Sequence, residues 1–183
     1  NPRALEELFF LPEEFSVPAT SGKRFVRLFA PFYPHFDYEA MHEYTGELGL
    51  DLSRPLPSLS YGMKKKFSLA FGLASGCRTL LLDEPTNGLD IPSKSIFRKL
   101  VASALTEERS FVISTHQVRD LENLIDPVVI LDDGEVLFYR SIEEITRALE
   151  FGQSSDEPEE ALYSEKVPGG YAVVRPNRDA TDS

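Results

Sequence analysis

The chain has 183 residues, 42% of them apolar, and its 30 acidic against 19 basic residues give a net charge of −11. That length suits about one domain of ~100–200 residues, and the acidic balance argues against a nucleic-acid partner held by phosphate contacts, which needs a basic face. No stretch approaches the ~20 apolar residues that span a bilayer, and the first residues carry no signal-segment pattern. The single cysteine, Cys77, excludes an intrachain disulfide framework and reads as a small buried apolar residue compatible with a reducing cytosol.

In chain order, Leu8 to Leu11 reads as a short buried strand ended by Pro12. Ser21 to Leu50 reads as helical, with Ser21 and Asp37 as N-caps and with Pro31 and Pro34 breaking the run between them. A Pro-bearing link, residues 53–58, leads to Leu59-Ser60-Tyr61-Gly62-Met63. From there Phe67, Ala70, Phe71 and Ala74 recur at helical spacing, and Gly76 can cap the end. The pattern then changes. Thr79 to Leu82 and Phe111 to Ile113 are apolar runs too short for helices, as in strands buried on both faces of a parallel sheet. Between them Pro92, Ile96, Phe97, Leu100, Val101 and Ala104 mark an amphipathic helix. Val118, Leu121, Leu124 and Ile125 give another helix face. Asp132-Asp133-Gly134 joins two apolar runs as a hairpin, and Ser141 caps a last helix to about Leu149. Gln153 to Glu160 is acidic and reads as a linker, followed by a small hairpin from Leu162–Ser164 and Tyr171–Val174. Alternating strands and helices predict an α/β sheet with right-handed crossovers.

Several residues carry candidate chemistry. Asp83 and Glu84 end a buried strand, where open α/β sheets bind ligands. One carboxylate there can hold magnesium through water, and its neighbour can orient an attacking water. An isolated Asp-Glu-Pro would be a solvated turn. His116 follows the next strand at the same sheet edge and could reach a γ-phosphate; a lone histidine there is also a common surface residue. Ser60 and Gly62 open a helix, whose N-terminus favours anions. Lys64, Lys65 and Lys66 lie in its first turn, against the dipole, which a nearby phosphate would relieve; otherwise Lys65 and Lys66 form a solvated basic face. Asp90 in Gly88-Leu89-Asp90 needs no role beyond a turn or N-cap. Ser21-Gly22-Lys23 looks like the tail of a phosphate loop, but Val17 and Arg24 stand where the motif needs Gly and Ser or Thr.

Four motifs in order, Leu59–Met63, Leu80–Pro85, Gly88–Asp90 and Ser114–His116, resemble the second half of an ABC-type ATPase. The resemblance covers roughly residues 8–149. It implies a P-loop NTPase-like (RecA-like) parallel sheet flanked by helices, with an α-helical subdomain. The expected divisions are 1–18 (core strand and Q-loop region), 19–76 (helical subdomain with the signature motif), 77–150 (α/β core) and 151–183 (tail). By similarity Asp83 is the magnesium-associated Walker B acid, Glu84 the catalytic base, Asp90 the D-loop acid and His116 the switch histidine. Ser60 and Gly62 keep the phosphate-facing positions of the signature, while Tyr61 and Met63 depart from it. Glu13 stands where the family has its Q-loop glutamine, which puts coupling through that residue in question.

The cofactors implied are ATP and Mg2+. The partners implied are a transmembrane permease subunit and a second ATPase subunit, at the cytoplasmic face of a membrane. Phe29, Phe32, Tyr33 and Phe36 are candidates for a permease-docking face or for plain core. The family's phosphate loop lies upstream of its Q-loop, so the chain is expected to be the back part of the catalytic unit and to bind ATP weakly alone. The alternatives are a soluble ABC-type ATPase for ribosome or DNA-repair work, and a non-catalytic module that kept the fold.

Overall fold

A three-stranded parallel sheet organises the first part of the molecule. In the computed structural model, residues 2–121, 124–158 and 160–177 are described, and the chain falls into two units, Asn1–Leu124 and Ile125–Ser183. In the first unit a short helix, α1 (Pro2–Leu5), precedes strand β1 (Leu8–Leu11). Strand β1 pairs in parallel with β2 (Thr79–Asp83), which pairs in parallel with β3 (Ser110–Ser114), in the order β1-β2-β3. The apolar runs read as buried strands therefore are strands. The register sets Leu11 beside Leu82 and Leu82 beside Ile113, so the carboxyl ends of all three strands finish at one edge.

One face of this sheet is core. Phe9, Leu11, Leu80 and Leu82 are buried. Helix α4 (Tyr61–Ala74) lies against this face: Gly72 has no Cβ, and one placed there would sit 2.3 Å from the Phe9 ring. The opposite face departs from the expectation of burial on both sides. Phe10 and Val112 share a row with Leu81 across it and are 56% and 58% exposed.

The helical subdomain is built as the prolines and caps require. Ser21 caps α2 (Gly22–Phe29) by accepting from the Arg24 N–H, Pro31 falls in a 3-10 turn over Ala30–Phe32, and Asp37 caps α3 (Tyr38–Glu47) by accepting from the Glu39 and Ala40 N–H groups. These segments close on α4 through rings: Phe25, Tyr33 and Phe36 surround Phe71 at centroid distances of 5.0–5.7 Å. Tyr33 and Phe36 are thus half-buried against Phe71, whereas Phe29 and Phe32 remain exposed. Phe9, Phe25, Phe29, Phe32, Tyr33, Ser68 and Phe71 line a groove of about 340 Å³. The phosphate-loop look-alike opens α2, where the Lys23 N–H donates to the Leu52 carbonyl at 2.9 Å.

Helix α5 (Ile91–Ala104) follows β2 and carries the predicted apolar stripe inward, with Phe97, Leu100, Val101 and Ala104 buried. Arg109 ties the far ends of three elements together. Its guanidinium donates to the carbonyls of Leu73 on α4, Ala104 on α5 and Cys77 before β2, at 3.1, 3.2 and 3.0 Å. Cys77 itself is buried, and burial raises its thiol pKa. The helix predicted around Val118 to Ile125 is a 3-10 turn over Val118–Leu121; residues 122 and 123 lie outside the described residues.

In the second unit, β4 (Val128–Asp132) and β5 (Glu135–Arg140) form the predicted hairpin. Asp133 and Gly134 both take positive φ, 44° and 81°, as a type I′ turn requires. Ser141 and Glu144 make a reciprocal capping box on α6 (Ile142–Ala148). Strands β6 (Leu149–Ser154), β7 (Tyr163–Val167) and β8 (Gly170–Pro176) form an antiparallel sheet in the order β6-β8-β7. Two sequence expectations change here. The tail hairpin gains a third strand, and the segment read as a linker from Gln153 begins inside β6. The two units divide after Leu124, inside the stretch 77–150 expected as the α/β core. The physical reason is continuity: α6 runs straight into β6, and Asn177, beyond β8, donates to the Ala148 and Thr146 carbonyls at 2.9 Å each.

Gly76 ends the α4 segment with φ +70°, and a Cβ there would lie 2.3 Å from the His35 carbonyl oxygen. Gly76→Ala therefore combines left-handed strain with a backbone clash. It is expected to cost more than ~1 kcal/mol, read as a lower urea midpoint with an unchanged m-value.

Candidate active site

The site grows from the carboxyl ends of β2 and β3. Parallel pairing sets Asp83 beside Ser114, and the Ser114 hydroxyl donates to Asp83 Oδ1 at 2.6 Å. The other oxygen, Oδ2, accepts from the Glu13 N–H at 3.3 Å. Glu13 thereby joins the site from the loop after β1. Its own Oε1 accepts from the Asn87 side-chain amide at 2.6 Å.

Glu84 is the first residue past the strand, and the chain bends sharply there. Its φ is +43°, a left-handed conformation that a non-glycine side chain disfavours by ~1–3 kcal/mol unless its surroundings fix it. They do. Its N–H donates to the Ser114 carbonyl at 2.9 Å, and its carbonyl accepts from the Asn87 N–H at 3.1 Å and from Lys65 Nζ at 2.6 Å.

The Glu84 carboxylate faces β3. Oε1 accepts from the His116 N–H at 2.8 Å and lies 2.7 Å from His116 Nδ1; Oε2 accepts from the Thr115 hydroxyl at 2.9 Å. An ionised carboxylate can only accept, so Nδ1 carries the proton. Burial pushes the Glu84 carboxyl up. The hydrogen bonds from His116 and Thr115 and the adjacent imidazole outweigh burial and hold it below its usual range.

A further layer supports the histidine loop. Gln117 places its side-chain amide 3.4 Å from His116 Nε2, and Lys94 on α5 donates to Gln117 Oε1 at 2.9 Å and to Asp120 Oδ2 at 2.6 Å. Burial raises the Asp120 carboxyl pKa, but the hydrogen bond and charge of Lys94 prevail and leave it lowered.

The structure joins Glu13, Asp83, Glu84 and His116 in one hydrogen-bonded cluster. Ser60, Gly62 and Asp90 stand beside it without hydrogen-bonding to it. Ser60 spends its hydroxyl as the N-cap of α4, accepting from the Met63 N–H. Gly62 permits a close approach, and the group that approaches is the Gly88 carbonyl of the same chain, 2.8 Å from where a Cβ would lie. Asp90 caps α5, and its hydrogen bonds from Ser93 lower its pKa. Lys66 lies 3.9 Å from Asp90. Lys65 departs from the solvated-face reading: it is fully buried, at 0% exposure. Asn87 is a site residue that motif reading passed over, and Tyr61, Lys65 and Thr115 were named there without the contacts they make here. The one signal for them was the four-residue spacing of Tyr61 and Lys65 on one helix face.

Among the described residues no three His, Cys, Asp or Glu side chains converge as a metal cage. Asp83 alone, fixed at a strand end with lone pairs to spare, fits Mg2+. That ion keeps several waters and takes one or two carboxylates plus phosphate oxygens.

Comparison with known proteins defines the class. Residues 2–119 match the family described as "AAA domain, putative AbiEii toxin, Type IV TA system". The chain belongs to this family of AAA-type domains, and it is similar to ATP-binding proteins of ABC transporters. Among curated proteins it is similar to the ABC transporter ATP-binding protein NatA of Bacillus subtilis, with 32% identity over 94 residues, 51% of this chain and 38% of that one. It is also similar to the ABC transporter ATP-binding protein YtrB of the same organism, with 24% identity over 147 residues, 79% and 50% respectively. This chain thus spans half or less of the length of these curated relatives. An ATP-binding subunit of an ABC transporter shares its fold, with a TM-score of 0.69 at 22% identity over 78% of this chain and 62% of that one. A putative ABC transporter ATP-binding protein from Pyrococcus furiosus gives 0.54 at 28% identity, over 61% and 57%.

The lowered carboxyl of Glu84 has a stability consequence. Because its folded-state pKa lies below the usual 4.5, its contribution is complete above that pH and is lost as pH falls through the folded value. Urea unfolding at about pH 7 and about pH 3 is expected to show a steeper acid loss for the wild type than for Glu84→Gln.

Proposed function

We propose that this chain carries the water-activating part of an ATP-hydrolysing subunit of an ABC transporter. The observation that carries the reading is the Glu84–His116 pair, 2.7 Å apart at the ends of adjacent parallel strands, with Asp83 beside it. The names of the curated relatives, ABC transporter ATP-binding proteins, support the same reading.

In this proposal Asp83 would hold Mg2+, which when bound would neutralise phosphate charge. Glu84 orients the attacking water. A carboxylate held ionised and below its usual range positions water well and retains a proton poorly, which suits a loose phosphoryl-transfer transition state needing little proton removal. His116 presents its Nε2 side at the sheet edge, where it can contact the transferring phosphoryl group while Nδ1 stays on Glu84. Ser60 and Gly62 contribute an anion-favouring helix start toward nucleotide held by a second ATPase subunit, with Asp90 as a subunit contact. Glu13 reports from the loop after β1.

A transmembrane permease subunit is the proposed partner, on the exposed Phe29 and Phe32 at the rim of the aromatic groove. Among the described residues no helix is long and apolar enough to cross a membrane; the proposed place, peripheral on the cytoplasmic face, follows from the proposed permease partner.

Phosphate release from Mg-ATP tests the reading. Glu84→Gln is expected to lower turnover by at least ~100-fold with nucleotide affinity retained. Hydrolysis by Glu84→Gln at the wild-type rate would sink the assignment. Phe32→Asp is expected to leave that basal hydrolysis intact and to abolish co-purification with the permease.

A further inference from the structure

Lys65 is the one fully buried lysine among the described residues, and neither the motifs nor the proposed chemistry uses it. Its ammonium has two acceptors, the Glu84 carbonyl at 2.6 Å and the Tyr61 hydroxyl oxygen at 3.3 Å. The Tyr61 hydroxyl in turn donates to the Glu13 carbonyl at 2.6 Å. Tyr61 and Lys65 stand four residues apart, one above the other on α4, so one face of the first helical turns reaches both acidic loops. The Tyr61 ring also packs on Gly88, where an added Cβ would meet it at 2.8 Å.

We infer that Tyr61 and Lys65 are positioning residues that pin the Glu84 bend and the Glu13 loop to the start of α4. The argument is one of cost and compensation. A buried ammonium without acceptors is strongly disfavoured. Here its acceptors are the carbonyl of a residue held in a disfavoured left-handed conformation and a phenol bound to the neighbouring loop. The two unfavourable features relieve each other. Burial lowers the Lys65 pKa, while the carboxylates of Glu13, Asp83 and Glu84 favour its charged form. The geometry also accounts for Tyr61, which departs from the family signature. A glycine there could not tether the Glu13 carbonyl.

The inference rests on Glu84 as the water-orienting residue, but its first test does not require activity. Amide hydrogen exchange is measured on the wild-type chain, Lys65→Met and Tyr61→Phe. Lys65→Met keeps the apolar stem and removes the donor. It is expected to speed exchange at Glu84 and His116 by ~10-fold or more while Leu82 in β2 stays within ~2-fold. Tyr61→Phe is expected to speed exchange at Glu13, whose N–H bonds Asp83, by several-fold.

In phosphate release, Lys65→Met is expected to lower kcat by ~10–100-fold with KM within ~2-fold, the signature of a displaced catalytic group. Unchanged exchange at Glu84 and His116 in Lys65→Met, with β2 intact, overturns the inference. If Lys65→Met loses β2 protection, Tyr61→Phe decides, and unchanged Glu13 exchange then overturns it. Faster exchange in a protein that hydrolyses no ATP upholds the positioning role and removes the hydrolysis reading instead.

Discussion

Parallel pairing of β2 with β3 fixes everything else at the site. Because Asp83 sits opposite Ser114, the residues that follow, Glu84 on one strand and Thr115 and His116 on the other, leave the sheet at the same height. A shift of one residue would turn Asp83 into the core face and carry Glu84 out of reach of the histidine loop. The apolar burial of Leu80 and Leu82 makes that shift costly, so the hydrophobic pattern of a strand sets the aim of two carboxylates. Chemistry and core are specified by the same residues.

From that edge the acidic cluster would repel itself. Glu13, Asp83 and Glu84 converge in a chain already at −11. The structure disperses the charge locally: Ser114 and a backbone N–H take Asp83, Asn87 takes Glu13, and Thr115 and His116 take Glu84. Only one full positive charge, Lys65, is buried among them. Most of the work of holding carboxylates close falls to neutral donors, which leaves the site acidic enough to favour a divalent cation.

Much of this was legible in the sequence for definite reasons. Short apolar runs identified β1, β2 and β3, Ser and Asp caps placed the starts of α2, α3, α4, α5 and α6, and Asp133-Gly134 announced its turn. Asp83, Glu84 and His116 were singled out because strand ends collect ligands in such sheets, and Glu13 only through the family resemblance. Lys65 was misread because three consecutive lysines look alike in sequence. A helix rotates ~100° per residue, so Lys64, Lys65 and Lys66 point in different directions, and which one turns inward depends on what packs there. The division after Leu124 was hidden because the link between α6, β6 and β8 runs through Asn177, a long-range contact with no local pattern. The exposed row of Phe10 and Val112 was missed because alternate burial cannot be read from an all-apolar strand.

Arg109 has a mechanical implication. Its guanidinium keeps its charge at any ordinary pH and is half-buried, so it depends on its acceptors. Those acceptors are carbonyls at the far ends of α4 and α5 and at the entry to β2. Separating the two helices there would break these hydrogen bonds and cost a partly desolvated cation its acceptors. Any rearrangement of α4 against the sheet is therefore resisted at its Ala74 end by Arg109, as it is at its Ser60 end by Tyr61 and Lys65. The helix is a beam clamped at both ends, with a guanidinium at one and an ammonium at the other.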